Sequence, residues 1–162
     1  MEFMEVVKTR RSIRRYRSDP VPEEVLNQIL DAARLSPSAG HRQPWHFILV
    51  KDAETKTRLG LSSWAVKAPL IVVGCADTKT RSPPLCYVDL GIALEHMVLA
   101  AANFGVGTCW IGRLGRDETI KRALGIPDHV RVVAVTPLGY PDEKPSPKTR
   151  KTLSEIMHYD KF

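Results

Sequence analysis

From Asp89 on, the stretch DLGIALEHMVLAAANF (89–104) is apolar on nearly every side, with Glu95 and Asn103 as the exceptions that stand out. A helix of this composition, closed by Gly105, has almost no polar face for water and must be buried. The chain therefore has to supply elements that wrap it. The foremost is APLIVVGCA (68–76), a continuous β-branched run that predicts a central strand covered on both sides.

The remaining segments follow the same logic. Phe3, Val6 and Val7 fit a short first helix. In SDPVPEEVLNQILDAARLSP, Pro22 suits a first turn, Glu23 and Glu24 favour the positive helix end, and Val25, Leu26, Ile29, Leu30 and Ala33 form one apolar face. Ser36-Pro37 ends that helix and SAGHRQP is loop; Gln43-Pro44-Trp45 serves packing and leads into WHFILV (45–50), which reads as a strand. DTKTRSPPLCY (77–87) has the composition of an exposed, mobile loop, the usual place for a substrate lid. VGTCWIG reads as a short strand, RDETIKRAL as a surface helix closed by Gly125, and VRVVAVTPLGYP as another strand. Residues 141–162, rich in proline at their start, form a tail that must lie on something to be ordered. No internal repeat occurs, and 162 residues suit a single domain, 1–162.

The net charge of +6 is unevenly placed. RRSIRRYR (10–17) and KPSPKTRK (144–151) hold nine Lys/Arg and no acid, leaving fifteen bases against eighteen acids elsewhere. Charge gathered at the two chain ends suggests a local anion site, whereas a nucleic-acid binder spreads a basic stripe along a face. The plain alternative is two solvated basic loops. No run of 18 apolar residues occurs, and MEFMEVVKTRR lacks the layout of a secretory signal, so a cytoplasmic protein without a membrane segment is expected. Cys75, Cys86 and Cys109 lack CxxC spacing, which argues against a disulfide framework or a zinc site. GxxxxGK[ST], GxSxG, HExxH and a dinucleotide glycine fingerprint are absent, and the scattered histidines do not predict a metal site.

Four motifs together carry a resemblance. RRSIRRY near the start, SPSAGHRQPWHF after the second helix, GVGTCWIG in the middle, and KTR before LSEIMHYDKF resemble, in order and spacing, the FMN-dependent nitroreductase family. The likeness spans essentially the whole chain and points to the family's compact members. It implies an α+β, three-layer α-β-α fold with a central mixed sheet wrapped by helices, and a C-terminal tail extended over a partner subunit. It also implies an NAD(P)H oxidoreductase with FMN, using NADH or NADPH as donor and reducing a small-molecule oxidant such as a nitroaromatic or quinone by ping-pong, two-electron transfer. Because the flavin carries the hydride, no protein residue is assigned to catalysis as such.

By the same resemblance, Arg10 and Ser12 match phosphate and ribityl contacts, with Lys148 and Arg150 converging on them; Arg11 belongs to the motif with a structural side chain. Arg14 matches a basic side chain at the N1–C2=O edge of the flavin, where it would tune the ring. Arg15 and Arg17 receive no role beyond surface charge. Pro37, Ser38, Ala39, Gly40 and His41 resemble a segment that reaches the flavin from the second subunit of a homodimer with shared sites; many relatives carry Asn where His41 stands. Ile111 and Gly112 match a stretch whose backbone N–H groups face the flavin. Other readings are a dehalogenating or flavin-fragmenting relative, a flavin binder without turnover, and, in a different class, a basic nucleic-acid-binding module.

Overall fold

The computed structural model describes residues 1–162. Its helices are α1 (Phe3–Thr9), α2 (Glu23–Arg34), α3 (Ala53–Arg58), α4 (Ser63–Val66), α5 (Leu85–Asn103) and α6 (Glu118–Leu124). The strands are β1 (Trp45–Val50), β2 (Leu70–Asp77), β3 (Gly107–Thr108), β4 (Ile111–Gly112) and β5 (Val130–Gly139), with single helical turns at Ala39–His41 and Leu153–Glu155. The sheet runs β1-β2-β5-β3, and β4 also pairs with β5.

The two apolar faces of the sheet take different cover. Leu70, Val72, Ala76, Ala134 and Leu138 pack beneath α2 and α5, while Ile71, Val73, Cys75, Val132 and Val135 pack with Leu59, which follows α3, and with Ile120 of α6. This is the expected helix–sheet–helix layering, and it explains why β2 carries no alternation: both of its sides are inside. α5 is long and apolar enough to cross a membrane by length and composition, yet Leu90, Ala93, Leu94, Met97, Val98 and Ala101 are buried. All three cysteines are buried and unbridged, and burial pushes the Cys75 thiol up to about 12.

Three expectations need correction. The sheet is not mixed at the level of its strands: every strand pair is antiparallel, and the parallel component is one isolated bridge, Ser12 to Thr108. VGTCWIG is two strands rather than one, because Pro137 falls opposite Cys109 in the β5 register and has no N–H to donate there. Helix α5 begins at Leu85, inside the expected 77–87 loop. That loop is also held, since Asp77 accepts from Lys79 N–H (2.7 Å), Thr80 N–H (3.3 Å) and the Thr80 hydroxyl (2.7 Å).

One ion pair fastens the 113–117 connection to the sheet. The carboxylate of Asp117, 1% exposed, accepts from Arg131 Nη2 at 2.6 Å and Nε at 2.8 Å, and from Val132 N–H at 3.2 Å. Its hydrogen bonds to Arg131 hold the carboxyl below the usual carboxylate range. The stabilisation is therefore complete above the unfolded value, about 3.9, and is lost as pH falls through the depressed folded value. Asp117→Asn is expected to cost about 2 kcal/mol at neutral pH, less than a fully buried pair would, because the Arg131 side chain is 34% exposed. Urea melts at successive pH values should show that difference shrinking on the acid side.

Candidate functional site

The arginine segment reaches the tail through a small antiparallel ladder. Arg17 N–H donates to Tyr140 O (2.9 Å), Asp142 N–H donates to Arg15 O (2.9 Å), and Tyr16 bridges Pro141. The Glu143 carboxylate accepts from the backbone N–H groups of both Arg14 and Arg15. At its other end the segment is fastened to β3, where Ile13 N–H donates to Thr108 O at 2.9 Å. Between these ties the chain ends meet in a cleft of about 70 Å³ lined by Arg10, Arg11, Ser12, Arg14, Pro145, Ser146, Lys148 and Arg150. A larger cavity of about 340 Å³ shares Arg10, Arg11 and Pro145 and runs along Ile13, Gly107 and Thr108.

The cations that line the cleft form no ion pairs. Arg15 pairs with Asp142 at 3.3 Å and Arg17 with Asp19 at 2.8 Å, so these two are neutralised at the surface. Arg10, Arg11, Arg14, Lys148 and Arg150 take part in none of the chain's ion pairs. Arg11 is pinned structurally, donating to the carbonyls of Lys8 and Arg10 at 2.8 Å. The Arg14 guanidinium lies 5.8 Å from the centroid of the Trp64 ring, within cation–π range. Glu95 of α5 senses Arg10: burial pushes its carboxyl up, and the Arg10 charge partly draws it back.

Beside the cleft, the edge of the sheet presents free backbone groups. Arg113 N–H donates to Val133 O at 2.8 Å, and Ile111 and Gly112 lie opposite Val135 and Ala134. Bonded and non-bonded pairs alternate in an antiparallel ladder. The Gly112 N–H therefore points away from β5 to the open edge, whereas the Ile111 N–H is turned toward β5. Of the two N–H groups expected to face a ligand, the register leaves only that of Gly112 available. Ile111 instead packs its side chain against the apolar layer that contains Leu59 and Ile120. The same parity turns Thr108 O outward, where Ile13 N–H takes it. Tyr16 fills the gap left at Pro137, its hydroxyl 3.3 Å from Pro137 O and also on Ile13 O, and burial pushes its pKa up.

The chain does not bring Pro37, Ser38, Ala39, Gly40 or His41 to the walls of this cleft. They form a separate turn against α5, held by Ala39 N–H on Asp89 (2.9 Å) and by Gln43 N–H on Ser38 Oγ (2.9 Å). Composition did not reveal Glu143, Tyr16 or Trp64 as parts of the site's frame. An acid next to a basic tail and a Tyr between arginines carry no distinctive spacing. No group of three or more His, Cys, Asp or Glu side chains is placed to hold a metal ion. Five unpaired cations around a serine hydroxyl suit a phosphate dianion, since guanidinium can donate to it twice over.

Comparison with known proteins gives a consistent result. Residues 7–69 and 67–140 match the nitroreductase family profile. The chain is 39% identical to "Putative NADH dehydrogenase/NAD(P)H nitroreductase" of Methanothermobacter thermautotrophicus, covering 100% of this chain and 88% of that protein. It is 29% identical to "FMN reductase [NAD(P)H]" of Bacillus subtilis, covering 98% and 74%. Among solved structures, an FMN-dependent nitroreductase from Clostridium difficile R20291 superposes with a TM-score of 0.86 at 30% identity, covering 98% and 99% of the two chains.

Proposed function

Since the chain belongs to the nitroreductase family, we propose that it is an FMN-dependent NAD(P)H oxidoreductase reducing nitroaromatics, quinones or similar small electrophiles. The observation that carries this reading is the convergence of unpaired Arg10, Arg14, Lys148 and Arg150 on Ser12, beside a sheet edge with a free N–H. The residues fit FMN on two counts. The cleft matches a terminal phosphate, and at Gly112 an added Cβ would meet nothing within 4 Å, so the sheet face there is uncovered and leaves room for a planar ring. When bound, FMN supplies the transfer of two electrons and a proton between the nicotinamide and the oxidant.

The chain's own residues bind, orient and tune. Arg10, Ser12, Lys148 and Arg150 hold the phosphate, with Arg11 fixing the local backbone. Arg14, steadied by the Trp64 ring and by the clamp of Glu143 on its backbone, places a fixed positive charge beside the cofactor and favours negative charge there. Gly112 offers its N–H from the edge of the sheet.

The functional unit in this reading is a cytoplasmic homodimer with shared sites. Val88 on the outward side of α5 is 53% exposed, and Leu153, Ile156 and Tyr159 of the tail are exposed as well, leaving apolar surface for a second copy. The 37–41 turn, which does not line its own chain's cleft, then contributes to the neighbour's site. Purified protein should release FMN rather than FAD on denaturation, and should oxidise NADH or NADPH with nitroaromatic or quinone acceptors under ping-pong kinetics. A colourless protein that takes up no added FMN would overturn the reading.

A further inference from the structure

Asp89 lies in the first part of α5, 3% exposed, and none of the roles above uses it. Its Oδ1 accepts the Ala39 N–H at 2.9 Å, and its Oδ2 is buried without a hydrogen-bond partner. The turn it holds has an unusual backbone: Gly40, His41 and Gln43 have φ of +61°, +54° and +49°. Two of these are not glycine, and side chains rarely occupy that region unless surrounding structure enforces it. The other bonds of the turn are internal, namely His41 N–H to Ser38 O, Gln43 N–H to Ser38 Oγ, and the contact of the His41 ring with the Gln43 amide. The bond to Asp89 is the one that fastens the turn to another element.

A buried carboxylate with one empty oxygen depends on the single donor it has. Releasing Ala39 would leave both buried oxygens without a hydrogen-bond donor, a cost that falls on any conformation in which the turn lets go. We propose that Asp89 is a positioning residue: its carboxylate locks the 38–43 turn in a conformation otherwise unfavourable, so that the turn meets a second copy's cofactor site already organised. This rests on the reading that residues 37–41 complete the neighbour's FMN site.

Asp89→Asn and Asp89→Ala, made in the full chain, test it through amide hydrogen exchange over 38–43 and through titration with FMN. Asparagine keeps the volume and one acceptor but removes the charge; alanine removes both. With cooperative thermal unfolding retained, exchange over 38–43 should rise about tenfold or more in Asp89→Ala and less in Asp89→Asn. Exchange in β2 should be unchanged, and the Kd for FMN should rise in the same order. If the alanine variant fails to fold, the asparagine variant carries both measurements. Exchange over 38–43 within twofold of wild type would overturn the proposal, as would faster exchange with an unmoved Kd. Wild-type protein that binds no FMN is a failure of the underlying reading, and the exchange measurement separates it from a failure of the anchor.

Discussion

Replacing Arg10 and Arg150 together by alanine is expected to weaken FMN binding by about 3–6 kcal/mol, because each removes hydrogen bonds to a charged group worth about 1.5–3 kcal/mol. The two come from opposite ends of the chain and reach one cleft, so neither can be replaced by a shift of the other's segment. Arg10 is the more enclosed of the pair and should account for the larger share. Each single variant should lose about ten- to a hundredfold in affinity. Arg10→Lys should recover part of the loss, since charge returns without the fork of donors. The control is Arg17→Ala, whose guanidinium is already engaged by Asp19 at 2.8 Å; it should bind FMN like wild type. Fluorescence titration at two salt concentrations checks all of this, and the wild-type advantage should narrow at the higher one. Equal losses for Arg17→Ala and Arg10→Ala would mean that general positive charge, not the cleft, holds the ligand.

Gly139→Ala should be the most damaging small substitution in the frame of the site. An added Cβ would lie 2.6 Å from Cδ and 3.0 Å from Cγ of Pro69, with Tyr16 Cδ1 at 3.4 Å. A proline ring cannot rotate aside, so the backbone leading into β2 or the Tyr16 segment must move. The expected loss is about 3 kcal/mol, the upper end of the usual range for overpacking. Gly107→Ala belongs to the same class, its Cβ falling 2.8 Å from Ile13 Cγ1 and 3.0 Å from Pro141 Cγ. Ile13 is more yielding than Pro69, so that effect should be smaller. Gly112→Ala, with nothing within 4 Å, should change stability by no more than about 0.5 kcal/mol. Urea midpoints with unchanged slopes would establish the order 139, 107, 112.

Much of this architecture could be read from local pattern. WHFILV is β1 residue for residue, and the VPEEVLNQILDAAR periodicity gives α2 with Leu26, Ile29 and Ala33 inside. Gly125 closes α6 in the left-handed conformation. The meeting of RRSIRRYR with KPSPKTRK was legible from charge asymmetry and family likeness together: Arg10, Arg11, Arg14, Lys148 and Arg150 line one cleft, although Arg11 and Arg150 also donate to nearby backbone carbonyls. What local pattern could not supply is long-range pairing. A continuous β-branched run is equally suited to parallel and antiparallel neighbours once both faces are covered, so the strand directions were undetermined. The split between β3 and β4 depends on Pro137 standing opposite Cys109, a register that emerges only when β5 is laid beside them. The distinction between the N–H groups of Ile111 and Gly112 has the same origin. Asp89 reads as an ordinary helix-start acid until the fold places Ala39 on it.

The ladder between 15–17 and 140–142 has a bearing on how the molecule is made. One wall of the cleft is drawn from residues 10–14 and the other from 145–150, with β1, β2 and β5 lying between them in the chain. A nascent chain can build α2, β1 and β2 while its arginines remain without their opposite wall. Closing so long a loop is entropically slow and gains little until the final contacts form. The cleft is thus assembled late in folding, after the sheet that separates its two walls in the chain. An anion that needs both walls would therefore act on the folded sheet rather than on its folding intermediates.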